Sequence, residues 1–208
     1  MADHSHSDEE PSARRNALRA EALESLLVER GLVRPEIIDT IVARYEQDIG
    51  PLNGAKVVAR AWTDAAFRDR LLADGWAAVR ELDLSTGPEQ TPIVAVANGP
   101  RVHNVVVCTL CSCYPSSLLG LPPTWYKSPP YRSRVVREPR AVLREMGLEL
   151  SADVELRVWD SSAEMRYMVL PERPGGTDGW SEEKLAALVT RDTLIGVAKA
   201  IPPEADGE

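Results

Sequence analysis

Apolar positions recur at helical spacing through the first part of the chain. Between Arg14 and Arg30 they fall at Leu18, Ala22, Leu23, Leu26 and Leu27, with Gly31 next, a spacing that predicts an amphipathic helix with a glycine stop. Pro35 opens a second helix that carries Ile37, Ile38, Ile41, Val42 and Tyr45 on one stripe and ends at Gly50-Pro51. The spacing stays helical over Ala55 to Trp62, over Asp64 to Asp74 with Thr63 as N-cap, and over Trp76 to Leu82 after Gly75. Then the period changes. Ile93 to Ala97 and Val102 to Val107 are short apolar runs on either side of Asn98-Gly99-Pro100, and they read as two strands joined by a turn.

Further on, Pro115, Pro122, Pro123, Pro129 and Pro130 impose a stiff, irregular path. Tyr131 to Arg137 and Pro139 to Met146 read as short helices. Val154 to Trp159 and Met165 to Leu170 alternate, and predict a hairpin closed through Asp160-Ser161-Ser162-Ala163-Glu164. Ser181 caps a last helix running to Val189. The sum is an α+β fold. Residues 1–12 form a disordered acidic tail, residues 13–50 an N-terminal helical arm, and residues 51–208 a compact mixed domain with a small sheet. By pattern alone the arm is equally suited to a partner surface and to its own core.

Charge narrows the possible partners. With 24 basic and 32 acidic residues the net charge is −8, which argues against nucleic acid or an anionic membrane as the main target. No apolar run approaches the roughly 18 residues of a membrane span, and the polar N-terminus, with His4 and His6, lacks a signal-peptide pattern.

The candidate chemistry is concentrated in Cys108-Thr109-Leu110-Cys111-Ser112-Cys113, which holds every cysteine of the chain. The one-residue gap between Cys111 and Cys113 places both thiolates beside the peptide nitrogens of Ser112 and Cys113. Two sulfurs and two nitrogens can then chelate in one plane, with Cys108 capping it. That donor set suits a tetragonal or octahedral ion with one position left open, a place for water or substrate. A Cys3His zinc site with His103 as the fourth ligand fits a Cys-x-Cys pair badly, and an iron–sulfur cluster lacks its fourth thiolate. His103 itself reads as a hydrogen-bonded structural imidazole on the second strand. Reduced thiols awaiting a metal imply a reducing, cytoplasmic compartment.

The run Val107 to Pro115 resembles the metal-binding signature of the nitrile hydratase alpha subunit, with Thr109 and Tyr114 matching its cobalt form more than its iron form. The resemblance extends through Gly54-Ala55-Lys56-Val57-Val58, Ala61-Trp62-Thr63-Asp64, Gly120-Leu121-Pro122-Pro123, Trp125-Tyr126-Lys127, Tyr131-Arg132-Ser133-Arg134, Val158 to Ser162, Arg166-Tyr167 and Val169-Leu170-Pro171. It implies a nitrile hydratase alpha-chain fold and hydration of a nitrile to its amide at a non-corrin cobalt(III) centre, iron(III) being the lesser alternative.

It implies Cys108, Cys111, Ser112 and Cys113 as metal ligands, with Cys111 as sulfinate, Cys113 as sulfenate and Cys108 as thiolate. Cys113 and Ser112 are the implied catalytic residues. Asp160, Glu164 and Arg166 are placed behind the active site, as orienting groups or a surface ion-pair network, and Tyr114 and Gln90 at the pocket. A beta subunit is the implied partner, in a heterodimer or heterotetramer, donating arginines to the oxidised sulfurs and favouring the arm as its docking element; a metal-loading activator is also implied. Two departures stand out. Ser116-Ser117 replaces a usual Trp-Pro, and Glu89 stands where the glutamine is expected, with Gln90 one place on; both suggest a wider, more polar pocket for a bulkier nitrile. Related readings are the metal-bearing subunit of thiocyanate hydrolase and a non-catalytic cobalt-binding subunit.

Overall fold

A computed structural model describes residues 9–47, 51–84, 91–111 and 113–203. By internal contacts the chain divides into Met1–Arg44 and Tyr45–Glu208.

The first unit contains α1 (Glu9–Glu29) and most of α2 (Pro35–Gln47). Helix α1 begins within the stretch read as a tail, whose first eight residues lie outside the described ones. Gly31, at φ +65°, ends the helix by returning its N–H to Val28 O, while Leu32 N bonds Leu27 O, a turn that suits a residue without a Cβ. Leu18, Leu23, Leu26, Ile37, Ile41 and Val42 are all exposed.

The second unit is built on α3 (Pro51–Thr63), whose Val57, Val58 and Ala59 are fully buried. Helices α4 (Ala65–Ala73) and α5 (Gly75–Arg80) follow. Asp64, not Thr63, caps α4 by accepting from Phe67 N at 2.9 Å. Thr63 is drawn into the last turn of α3, where its hydroxyl bonds back to Ala59 O at 3.2 Å.

Strands β1 (Ile93–Ala97) and β2 (Val102–Val107) lie where the pattern placed them. After the cysteine loop come the short α6 (Ser116–Leu119) and α7 (Thr124–Lys127), in the segment expected to be irregular. Then follow α8 (Pro129–Arg137), α9 (Pro139–Glu145), β3 (Glu155–Asp160), β4 (Arg166–Leu170), α10 (Glu182–Ala186) and α11 (Arg191–Ile195). Ser181 caps α10, and a further helix, α11, stands beyond it.

The expected β3–β4 hairpin does not form. β3 pairs in parallel with β2, and β4 in parallel with β1. Alternation tells which residues share a face, not which strand lies alongside. The five residues after Asp160 therefore carry the chain from one two-stranded sheet to the other. The pairing fixes the geometry of the site: the last residues of β2 and β3, Val107 and Asp160, are in register, so both strands end at the same edge. Arg166, the first residue of β4, pairs with Ile93, the first of β1. Around this frame Phe67, Leu71, Leu118, Leu119, Tyr126, Leu143, Met168 and Leu194 form the core. Among the described residues no helix is long and apolar enough to cross a membrane.

Candidate metal centre

β2 ends at Val107, and the chain turns at once into the cysteine loop. Cys108 is buried, Cys113 half-buried and Cys111 exposed, and none is in a disulfide. Their sulfurs converge: Cys108 Sγ lies 3.4 Å from Cys111 Sγ, which lies 3.2 Å from Cys113 Sγ. Among the described residues this is the one cluster of three or more metal-ligating side chains, its sulfurs all within 4.8 Å of each other. Such crowding disfavours full ionisation without a metal. Burial, followed by the neighbouring Cys111 thiol, pushes the Cys113 thiol up to about 12, while Arg166 pulls it down. A cation reverses that balance and expels protons. The donor set, soft sulfur with one member open to solvent, fits a thiophilic transition metal.

Several side chains hold the loop. The Asp160 carboxylate accepts from Thr109 N at 2.9 Å and from the Thr109 hydroxyl at 2.6 Å, a reach created by the parallel pairing of β2 with β3. Cys111 N donates to Cys108 Sγ at 3.3 Å, and Arg132 Nη1 donates to Cys111 O at 3.0 Å. Tyr126, fully buried, donates its hydroxyl to Cys113 O at 3.0 Å and is hydrogen-bonded to Ser161. Tyr131 donates to Val106 O at 2.8 Å, one residue before the end of β2. Burial raises the pKa of both phenols, so they remain donors.

Of the residues singled out in the sequence, the structure brings Cys108, Cys111, Cys113, Asp160 and Arg166 together. Glu164 is exposed, its backbone N bonded to Ser162 Oγ. Tyr114 turns inward, its ring 5.0 Å from that of Tyr126 and its hydroxyl toward Leu119 O, so it supports the loop from the core side. Ser112 and Gln90 lie outside the described residues. His103 is no fourth metal donor: its Nε2 bonds Gly196 O at 2.7 Å and its Nδ1 meets Asn98 Nδ2 at 3.2 Å. The supporting roles of Tyr126, Tyr131 and Arg132 were not legible in sequence. The only signal was aromatic residues set just after the paired prolines, where stiff backbone can aim a phenol.

The nitrile hydratase alpha chain family matches residues 14–198. The chain belongs to that family. It is 56% identical over 186 residues to the cobalt-containing nitrile hydratase subunit alpha of Pseudonocardia thermophila, covering 88% of this chain and 91% of the relative. Thiocyanate hydrolase subunit gamma of Thiobacillus thioparus is 43% identical over 191 residues, covering 87% and 78%. Among solved structures, a double mutant of the iron-type nitrile hydratase of Comamonas testosteroni Ni1 superposes with a TM-score of 0.83 at 44% identity, covering 94% of this chain and 95% of the other. The expected nitrile hydratase alpha-chain fold is thus the one observed, with its cysteine loop at the shared edge of β2 and β3.

Proposed function

We propose that this chain is the metal-bearing alpha subunit of a cobalt-type nitrile hydratase, which adds water to a nitrile to give the amide and works beside a beta subunit in a reducing cytoplasm. The observation that carries the reading is the convergence of the Cys108, Cys111 and Cys113 sulfurs on a braced, partly exposed loop. Those sulfurs, with the peptide nitrogens of Ser112 and Cys113, would hold cobalt(III). When bound, the ion supplies Lewis acidity to a nitrile or to water.

The chain's own groups prepare the site. Asp160 fixes Thr109, Tyr126 fixes the Cys113 carbonyl, and Arg166 places positive charge near Cys113. Cys113 as sulfenate is the candidate nucleophile or base, with Cys111 as sulfinate and Ser112 beside them. The helical arm, residues 13–50, is the candidate docking element for the beta subunit, since its Leu18, Leu23, Leu26, Leu32, Ile37, Ile41 and Val42 are exposed.

Co-production with the beta subunit in cobalt medium tests the reading by metal analysis, intact mass and turnover. About one cobalt per chain, mass added for about three oxygens on sulfur, and amide formed from nitrile are the expected results. Thiocyanate consumed in preference to nitriles would move the chain to the thiocyanate hydrolase branch. Zinc with unmodified cysteines would end the cobalt reading. Ser116 opens α6, half-buried and three residues after Cys113, and a serine in place of tryptophan there would leave room for a bulkier substrate. Ser116→Trp is expected to raise KM for an aromatic nitrile over a small aliphatic one by roughly 10-fold; an unchanged ratio would remove the wide-pocket reading.

A further inference from the structure

The cysteine loop is gripped by side chains of opposite charge. Asp160 holds Thr109, and Arg132 holds the carbonyl of Cys111. Between these two grips Leu110 is 88% exposed, so the tip has no packing of its own to order it. The guanidinium comes from α8, a rigid support whose first turn is capped by Ser128 and whose Tyr131 is bonded to β2.

Arg132 differs from its neighbours. Arg134 is matched by Glu138 at 2.6 Å and Glu145 at 2.7 Å, and Arg137 Nε turns back to Ser133 O. Among the described residues Arg132 has no ion pair, and its Nε is buried without a hydrogen-bond partner. It also lines an open cleft of about 400 Å³ with Thr109 and Val136. A half-buried guanidinium without a counter-ion is well placed to meet a partner that becomes negative. Three anionic sulfur groups on this loop, in excess of the charge of any ion they hold together with the amide nitrogens, would make it so.

We propose that Arg132 is a positioning residue of the metal centre: it fixes the Cys111 carbonyl, keeps the three sulfurs converged, and supplies from within this chain a positive charge against the anionic loop. This rests on the metal reading above. Holding Cys111 matters most because it is the exposed member of the set, while Cys108 is already fixed by the end of β2. The guanidinium acts through the carbonyl, so its loss shows first in how the ion is held.

The test uses full-length Arg132→Met, Arg132→Gln, Arg132→Lys and Arg137→Met, each co-produced with the beta subunit in cobalt medium. Cobalt per chain, its rate of loss to a strong chelator, and the sulfur-to-metal absorption band are compared, with circular dichroism reporting folding. Arg132→Met and Arg132→Gln are expected to lose cobalt roughly 10- to 100-fold faster, with a shifted band. Arg132→Lys, which restores the charge, recovers part of the retention, and Arg137→Met matches the parent. Should Arg132→Met fail to fold, Arg132→Gln, an uncharged side chain whose amide ends two bonds short of the Nη1 that holds the Cys111 carbonyl, is judged in its place. Parent-like cobalt loss and absorption in the uncharged variant overturn the proposal and leave the metal reading standing. A parent chain that takes up no cobalt overturns both.

Discussion

The two ends of β2 are built for opposite purposes. At its start, polar side chains bond to one another and to backbone: His103 to Gly196 O, Asn104 Nδ2 to Ala97 O at 2.8 Å and to Asn98 Oδ1 at 3.0 Å, and Trp159 Nε1 to Asn104 Oδ1 at 2.8 Å. Every one of those bonds closes within the chain, as buried polar groups require. At its other end, six residues or roughly 20 Å away, the strand delivers three sulfurs whose nearest polar contacts include each other. One end spends its polar groups on the fold, and the other withholds them for a ligand. The contrast teaches that polar groups whose bonds close within the chain mark structure, while soft donors that converge on a partly exposed loop mark a place for a ligand.

If the two ends are separable, changes at each should fail in different measurements. The largest effect is expected from Cys113→Ala: cobalt affinity should fall by more than roughly 100-fold, the upper range for groups one layer further out. The melting behaviour of the metal-free chain should change by less than about 1 kcal/mol. Retained cobalt would remove Cys113 from the ligand set.

Gly196→Ala is the mirror test. Gly196 sits at φ +90°, and a Cβ there would overlap the carbonyl oxygen of Asn104. A loss of at least about 2 kcal/mol in denaturant stability is expected, with normal cobalt uptake by the folded fraction. Stability within error of the parent would show that the polar end tolerates more than its packing suggests.

Asp160→Asn probes the brace of the cysteine loop while keeping its shape. Cobalt retention should fall about 10-fold with the melt little changed; a stability loss as large as that of Gly196→Ala would show the two ends to be one cooperative unit. The smallest effect concerns pH. Burial, opposed in part by the bond to Gly196 O, depresses the pKa of His103 below its ordinary 6.5. The unfolded chain therefore takes up that proton first, so stability is full above about 6.5 and declines as pH falls through the folded value. His103→Gln should flatten this part of the stability–pH curve, and an unchanged slope would assign the loss to other groups.

Much of this was readable in advance. The strands at Ile93 and Val102, the helix opened by Pro35 and the α+β class follow from local periodicity, which depends on neighbours a few residues apart. The cysteine loop was legible for the same reason: its ligands lie within six consecutive positions, so spacing alone limits the geometry. The hairpin was misread because β3 and β4 are adjacent in sequence but pair with β2 and β1, a choice made by the whole sheet. Thr63 was misread as a cap because a hydroxyl and a carboxylate stand side by side, and only the completed α3 decides between them.

By itself, then, the sequence determined that three thiols would stand together at a strand's end, since chelation at this spacing is a covalent constraint. The tertiary structure alone decided what braces them. Asp160 is 51 positions from Thr109, Arg132 is 21 from Cys111, and Tyr126 is 13 from Cys113. Contacts over such separations depend on parallel pairing and on where proline-started helices dock, and these are properties of the packed chain that no local pattern encodes.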